Sequence, residues 1–222
     1  MVKTFDYQKH KILACDETPQ FRLNPAAKEP ETIEFLEKYI KEDSYFVNVG
    51  ANCGAYSLIA ASLGAKVAAF EPAVSNFYLL LKNVDLNCLK YKVKLFPFVI
   101  SEYTGLTLFV YKDLELGSTH GLHWGGSIKT FCYQYTLDDL LKGNYIQPPD
   151  VILIDTDGNE NAVLCGMSYI FLNCPPKAIQ IECSEDNLFN IKTWITGEYG
   201  YKVEKETVRN NPQFVNVKFV KD

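Results

Sequence analysis

The sequence has no run of about 20 apolar residues, the length that a membrane-spanning helix needs. Its longest candidate, residues 57–70, is broken by Gly64 and Lys66. The chain also begins with polar and charged residues and lacks the apolar core of a secretion signal there. We therefore expect a cytoplasmic protein without a membrane partner.

Paired cysteine motifs and basic runs are missing as well. The seven cysteines are widely spaced and form no C-x-x-C pair, which argues against a disulfide framework and against a structural zinc site. The net charge is −5 at pH 7, and no run of Lys or Arg stands out. Because nucleic-acid-binding proteins present basic surfaces, we expect no nucleic-acid partner.

The most informative feature that is present is a glycine turn near residue 50. Residues 45–50 read as a buried strand, Gly50 and Gly54 frame a turn, and a helical pattern follows. A second apolar strand ends at Glu71. This acid follows Gly50 by about 20 positions, the usual distance from a nucleotide-binding glycine turn to the carboxylate that binds a ribose. The unit predicts a cofactor that carries an adenosine group.

The chemistry of the turn narrows the choice of cofactor. A dinucleotide site requires a second glycine two residues after the first, but this chain has Asn52 there. The turn therefore suits a cofactor without a phosphate, such as S-adenosylmethionine. Glu71 would accept both ribose hydroxyls, Gly50 would let the backbone pass close to the amino-acid tail, and Asn48 would accept a hydrogen bond from the ammonium. The alternative interpretation is that the glycines only form a tight turn and that Glu71 is an ordinary strand-end acid.

Strand and helix patterns alternate through most of the chain, which predicts an α/β fold with a doubly wound, mostly parallel sheet. Residues 1–28 show no clear period and are expected to form an N-terminal cap segment, with residues 29–222 as one domain. The alternation becomes irregular over about residues 106–135, which predicts a β and loop insertion between the third and fourth core strands. One strand is predicted over residues 93–100, and one helix is marked by Val163, Met167, Ile170 and Phe171.

Acidic residues collect where strands are predicted to end. Ligands of doubly wound sheets bind beyond the carboxyl ends of the strands, and we expect Asp155, Asp157 and Glu182 there. Such acids bind the cofactor or substrate hydroxyls, act as a general base, or hold a divalent metal. Asp155 is the strongest candidate because packing poorly explains a charge that ends an aliphatic strand. Asp157 also fits a helix cap.

Two histidines provide further candidate bases. His120 and His123 lie in a glycine-rich segment, residues 117–127, that has the composition of a lid. A histidine that titrates near neutral pH could remove a proton from a substrate hydroxyl. The other interpretation is that both are solvent-exposed loop residues.

Five short motifs carry a resemblance to a known family, in that family's order. They are Val47-Asn48-Val49-Gly50-Ala51-Asn52-Cys53-Gly54, Phe70-Glu71-Pro72, Ile100-Ser101-Glu102-Tyr103-Thr104-Gly105, Thr136-Leu137-Asp138-Asp139-Leu140-Leu141 and Ile152-Leu153-Ile154-Asp155-Thr156-Asp157-Gly158. Over roughly residues 30–222 the sequence resembles the FkbM-type S-adenosylmethionine-dependent methyltransferases. The family usually has aspartate where this chain has Asn48, a departure that should weaken the hold on the cofactor ammonium.

The resemblance implies a class I methyltransferase fold, Rossmann-like, with a seven-stranded sheet. It also implies O-methylation of a hydroxyl on a carbohydrate or other small metabolite, with S-adenosylhomocysteine as the product. The implied cofactor-binding residues are Asn48, Gly50, Ala51, Asn52, Gly54, Glu71, Pro72, Ser101 and Asp155. Asp157 and Glu182 are candidate substrate-binding residues, and the candidate bases are Asp155, His120 and His123.

Two other functions fit parts of the sequence. Asp155-Thr156-Asp157 after an aliphatic strand matches the D-x-D pattern with which nucleotide-sugar glycosyltransferases hold a metal and a diphosphate. The early position of the glycine turn and of Glu71 argues against that class. Asn48 in place of an aspartate is also compatible with a non-catalytic module that binds the cofactor without turnover.

Overall fold

The computed structural model describes residues 2–122, 126, 128–209 and 213–221. Its helices are Pro25–Lys28 (α1), Pro30–Tyr39 (α2), Ala55–Ser62 (α3), Val74–Leu86 (α4), Leu137–Lys142 (α5), Glu160–Cys165 (α6), Ser168–Asn173 (α7) and Glu185–Tyr199 (α8). Its strands are Lys3–Thr4 (β1), Leu13–Ala14 (β2), Tyr45–Val49 (β3), Lys66–Phe70 (β4), Val93–Phe96 (β5), Val99–Ile100 (β6), Gly105–Tyr111 (β7), Ile128–Tyr135 (β8), Val151–Ile154 (β9), Ala178–Ser184 (β10), Lys202–Val208 (β11) and Phe214–Val220 (β12).

Seven strands form the central sheet, in the order β11-β12-β10-β9-β3-β4-β5. Strand β12 runs antiparallel to both of its neighbours, and the remaining pairs are parallel. Parallel strands require crossover connections, which place helices on the faces of the sheet. Here α2, α3 and α4 cover one face, and α5 to α8 cover the other. The predicted doubly wound, seven-stranded fold is confirmed.

The two central strands explain where a ligand can bind. Every residue of β3 and β9 is buried, as expected for strands with helices on both faces. Their parallel register pairs Val49 with Ile154. The turns that follow the two strands therefore leave the sheet side by side, at its carboxyl edge.

The single strand predicted over residues 93–100 is wrong. The chain forms β5 in the central sheet, leaves it at Pro97, and then forms β6 in a second sheet. Proline has no N–H to donate to a strand ladder, so the pairing ends there.

The single helix predicted around Val163 and Phe171 is also wrong. The structure has two short helices, α6 and α7, separated at Gly166 and Met167. A side chain at Gly166 would overlap the carbonyl oxygen of Ser101, so the glycine permits a close contact with the end of β6. This contact turns the chain out of α6 and away from the helical path.

The insertion between β5 and β9 contains a three-stranded sheet in the order β6-β8-β7. Strands β7 and β8 are antiparallel and pair along the whole length of β7. The segment that joins them returns to the central domain, because the carbonyl oxygen of Ser118 accepts hydrogen bonds from Asn76 and Asn52. The insertion thereby contributes a wall above the carboxyl edge of the central sheet.

The N-terminal residues pack against the face covered by α3 and α4. Strands β1 and β2 form an antiparallel pair, and Phe5, Ile12 and Leu23 join the core on that face. The side chain of Asn83 in α4 accepts a hydrogen bond from the backbone N–H of Cys15 at 2.7 Å. Within the described part of the chain, no helix has the length and apolar character required to cross a membrane.

Candidate active site

A cavity of about 220 Å³ opens at the carboxyl ends of the central strands. Most of the residues predicted to bind ligand line it, namely Gly50, Asn52, Glu71, Pro72, His120, Asp155, Asp157 and Glu182. Apolar residues also line it, including Phe98 between β5 and β6 and Ile100 in β6. The cavity therefore combines polar and apolar lining residues, as expected of a small-molecule site.

Four predicted residues lie close to the cavity without lining it: Asn48, Ala51, Gly54 and Ser101. Asn48 is 1% exposed, and its amide donates to the hydroxyl of Ser57 in α3 at 2.9 Å. This contact directs the side chain toward the helix layer, so a direct contact with a cofactor ammonium stays a prediction. His123 lies outside the described residues.

Close packing explains Gly50, whereas the sequence analysis explained this glycine by contact with the cofactor. Gly50 has a φ of 87°, in the left-handed region that favours glycine. A side chain there would overlap the backbone carbonyl oxygen of Asp155. Gly50 therefore allows the turns after β3 and β9 to touch, and this contact fixes Asp155 at the edge of the cavity.

Glu71 is held by the backbone rather than by a cation. It is 5% exposed, and its two carboxylate oxygens accept hydrogen bonds from the N–H groups of Asn52 at 2.8 Å and Ala73 at 2.9 Å. Burial raises the pKa of Glu71 to about 7, although these N–H groups favour the ionised form. The side chain of Asn76 also hydrogen-bonds to this carboxylate. A carboxylate has about four acceptor positions, so Glu71 retains capacity to accept from a hydroxyl of a ligand in the cavity.

Asp155 and Asp157 form an acidic floor. Burial, reinforced by the charge of Glu29, raises the pKa of Asp155 to about 6. Burial and the neighbouring charge of Asp155 raise the pKa of Asp157 to about 7. Both groups are thus able to take up a proton near neutral pH, which is a property of general bases.

A second group of charges lies beside Asp155. Oxygen atoms of Glu29, Asp155 and Glu182 lie within 4.8 Å of one another, close enough to hold a cation. Arg209 contacts Glu29 at 2.5 Å and also forms an ion pair with Glu182. Its guanidinium supplies positive charge to these carboxylates, and Asp157 of the D-x-D pattern is not a member of the group. The arrangement does not favour the metal and diphosphate site of a glycosyltransferase.

His120 is the histidine that lines the cavity. It is 8% exposed, and neither ring nitrogen has a hydrogen-bond partner among the described residues. Burial lowers the pKa of His120, so the ring is neutral at pH 7 and one nitrogen carries a free lone pair. The interpretation of His120 as an exposed loop residue is therefore wrong, because the loop folds inward against Tyr111.

The thiol nearest to the turn does not have the properties of a nucleophile. Cys53 is buried, and burial raises the pKa of its thiol to about 11. The group is protonated at neutral pH, and only the thiolate is strongly nucleophilic.

The sequence interpretation missed the basic residues of the cavity. Arg22, Lys28 and Arg209 line it, although they lie near the two ends of the chain. One signal was available in the sequence: only two of the 22 basic residues are arginines, and both are in this cavity.

Comparison with known proteins gives a family match. The model for the methyltransferase FkbM domain matches residues 48–203. The hexuronic acid methyltransferase AglP of Haloferax volcanii is 29% identical over 152 residues, which cover 67% of this chain and 60% of AglP. This chain thus matches less than two thirds of the length of that relative.

Solved structures with a similar fold include two that are named methyltransferases. Methyltransferase FkbM from Methylobacillus flagellatus KT has a TM-score of 0.59 at 16% identity, covering 80% of this chain and 43% of that chain. Precorrin-6y C5,15-methyltransferase from Geobacter metallireducens has a TM-score of 0.55 at 13% identity, covering 92% and 93%. TYW2 of P. horikoshii, solved in complex with MeSAdo, has a TM-score of 0.50 at 19% identity, covering 98% and 69%.

Proposed function

The chain belongs to the methyltransferase FkbM domain family, and on that premise we propose that it transfers a methyl group from S-adenosylmethionine to a hydroxyl oxygen of a sugar. The observation that carries the proposal is Glu71. Its carboxylate lies at the carboxyl edge of the sheet, is fixed by two backbone N–H groups and lines the cavity.

The residues present fit the cofactor. Glu71 would accept the two ribose hydroxyls, and the apolar residues Phe98 and Ile100 would cover the adenine ring. Ser101 follows them at the end of β6 and stays a candidate for contact with the same ring. When bound, the cofactor supplies an electrophilic methyl group on its sulfonium. The chain itself would bind and orient the two reactants, which is the main source of rate enhancement in such a transfer.

A sugar acceptor is supported by the relative AglP, whose name identifies a hexuronic acid methyltransferase. The cavity offers acidic groups for sugar hydroxyls, because Asp157 and Glu182 line it and carboxylates accept hydrogen bonds from hydroxyl groups. In the transfer, the acceptor oxygen would bond to the methyl carbon as the bond between that carbon and the sulfonium sulfur breaks, which would leave S-adenosylhomocysteine. The hydroxyl proton must pass to a base.

Asp155 is the proposed base. It lines the cavity at the end of β9, and its raised pKa allows it to hold the proton that the hydroxyl releases. His120 is the second candidate, since its neutral ring has two nitrogens without partners. Both residues would act on the acceptor, whereas Glu71 would act on the cofactor.

The test is a transfer assay with S-adenosylmethionine and a panel of hexoses and hexuronic acids, read by mass spectrometry. We expect a methylated sugar that resists mild alkali, because a methyl ether is stable there and a methyl ester of an acid group is hydrolysed. The variant Glu71→Ala should lose both binding of S-adenosylhomocysteine and transfer. Binding without transfer to any member of the panel would instead support the non-catalytic module. Binding of a nucleotide sugar that depends on manganese would support the glycosyltransferase.

A further inference from the structure

The two arginines of the chain differ in what they contact. Arg209 forms ion pairs with Glu29 and Glu182, so its charge is already matched. Lys28 also forms an ion pair with Glu29, at 3.0 Å. Two of the three basic side chains in the cavity are therefore occupied by carboxylates of the protein itself.

Arg22 is the exception. Its Nε donates to the carbonyl oxygen of Gly117 at 2.8 Å, which fixes the side chain between the N-terminal segment and the insertion. Across the described ranges of the chain, its guanidinium forms no ion pair with a carboxylate. Its side chain lines the cavity together with Glu71 and Asp155, and its charge opposes the rise that burial causes in the pKa of each carboxyl. The terminal N–H groups remain available to a ligand.

A guanidinium presents its donors in a planar fork that matches the two oxygens of a carboxylate. We propose that Arg22 is the carboxylate-binding residue of this cavity. Its terminal N–H groups bind either the carboxylate of the cofactor's amino-acid tail or the acid group of a uronic sugar. The inference rests on the proposed function for the identity of these ligands. The matched family region begins at residue 48, so Arg22 is supplied by a segment outside it.

The experiment compares ligands that differ by the carboxylate. Calorimetry measures the Kd of S-adenosylhomocysteine and of 5′-methylthioadenosine, which lacks the amino-acid group, for the full chain and for Arg22→Met. Glucuronate and glucose are titrated in the same way, with and without S-adenosylhomocysteine. We expect Arg22→Met to weaken one carboxylate ligand by about 10- to 100-fold, the effect of one charge-assisted contact. The Kd of the matching ligand that lacks the carboxylate, 5′-methylthioadenosine or glucose, should be unchanged.

The pattern identifies the source of the carboxylate. A selective loss of S-adenosylhomocysteine affinity assigns Arg22 to the cofactor tail, and a selective loss of glucuronate affinity assigns it to the acceptor. Arg22→Lys keeps the charge but not the planar fork of donors. Its Kd for the affected carboxylate ligand should lie between those of the parent chain and Arg22→Met. Lys66→Met, at an exposed ion pair with Asp43, is the control for charge loss at the surface.

Three results contradict different statements. Equal affinities of the parent chain and Arg22→Met for both carboxylate ligands overturn the inference about Arg22. Equal losses for ligands with and without the carboxylate also overturn it, because they indicate only a displaced loop at Gly117. Failure of the parent chain to bind S-adenosylhomocysteine overturns the proposed function, and the glucuronate titration without cofactor still tests Arg22.

Discussion

At the scale of single residues, Glu71 differs from an ordinary ion-paired acid. Backbone N–H groups of Asn52 and Ala73 set its orientation, whereas burial keeps its pKa near 7. A ligand that donates hydroxyls stabilises the ionised form. Binding such a ligand therefore lowers the pKa of Glu71 and releases the proton that part of the free protein carries there. The affinity for the ligand must then depend on pH.

We expect the affinity for S-adenosylhomocysteine to fall as the pH falls below about 7. Binding requires ionised Glu71, and the fraction of free protein in that form decreases by at most about tenfold per pH unit below its pKa. Calorimetry at pH 8, 7 and 6 measures the slope. The neutral variant Glu71→Gln should bind more weakly at pH 8 and should lose the slope. An unchanged slope in this variant would assign the titration to another group.

A second prediction separates the two candidate bases. Asp155→Asn keeps the size of the side chain but cannot take up a proton. We expect kcat to fall by about 10²- to 10⁴-fold, with a smaller fall for His120→Gln. Measured Kd values for S-adenosylhomocysteine identify any variant that also damages the cofactor site. If His120→Gln has the larger effect on kcat with an unchanged Kd, His120 rather than Asp155 is the base.

At the scale of elements, the β3 and β9 turns depend on each other. Replacing Gly50 with alanine would force a side chain into a left-handed backbone and against the carbonyl of Asp155. We expect Gly50→Ala to reduce the free energy of unfolding by about 2 kcal/mol or more, as measured by urea unfolding. The strain should also displace Asp155 and lower kcat.

Gly197→Ala is the matched control for that substitution. Gly197 lies in the exposed part of α8, and a side chain added there would contact nothing within 4 Å. Alanine is favoured over glycine in helices, so this change should stabilise the protein by about 0.5–1 kcal/mol. If Gly50→Ala destabilises the protein no more than Gly197→Ala does, the turns after β3 and β9 are not in close contact.

The local elements of the site could be predicted from the sequence because strand, turn and helix follow each other within about 25 residues around Gly50. Glu71, Asp155 and Asp157 could be placed because parallel strands end at one edge. The break at Pro97 could also be predicted, because proline has no N–H to donate to a strand ladder. The cavity positions of Arg22 and Arg209 could not be predicted, because they depend on how the two ends of the chain pack.

At the scale of the whole molecule, the cavity is a source of instability at neutral pH. Glu71, Asp155 and Asp157 all have folded-state pKa values of about 6 to 7, above the usual values for the unfolded chain. Between about pH 4 and pH 7 the folded state therefore binds more protons than the unfolded state. The contribution of these three groups to stability therefore falls as the pH rises through that range, which is the opposite of the usual behaviour of ion-paired acids. The function of the site accounts for acids that folding alone disfavours.

The last prediction isolates one of these acids. Asp157→Asn removes the charge, and asparagine tolerates the left-handed φ of 53° at this position. We expect the free energy of unfolding of the variant, relative to that of the parent, to be higher at pH 8 than at pH 5 by about 1–2 kcal/mol. One pKa unit corresponds to about 1.4 kcal/mol. Urea unfolding at both pH values measures the gain.

The control is Asp43→Asn, at an exposed residue that also has a positive φ and whose pKa is lowered by Lys66. A group of this kind loses its stabilising effect only as the pH falls through its lowered pKa, so the difference between Asp43→Asn and the parent should be constant from pH 5 to pH 8. If the difference in the free energy of unfolding between Asp157→Asn and the parent is also the same at pH 5 and pH 8, Asp157 is already ionised at pH 5. The acidic floor would then carry its full negative charge throughout the range, and a cation from the ligand or from Arg22 would have to balance it.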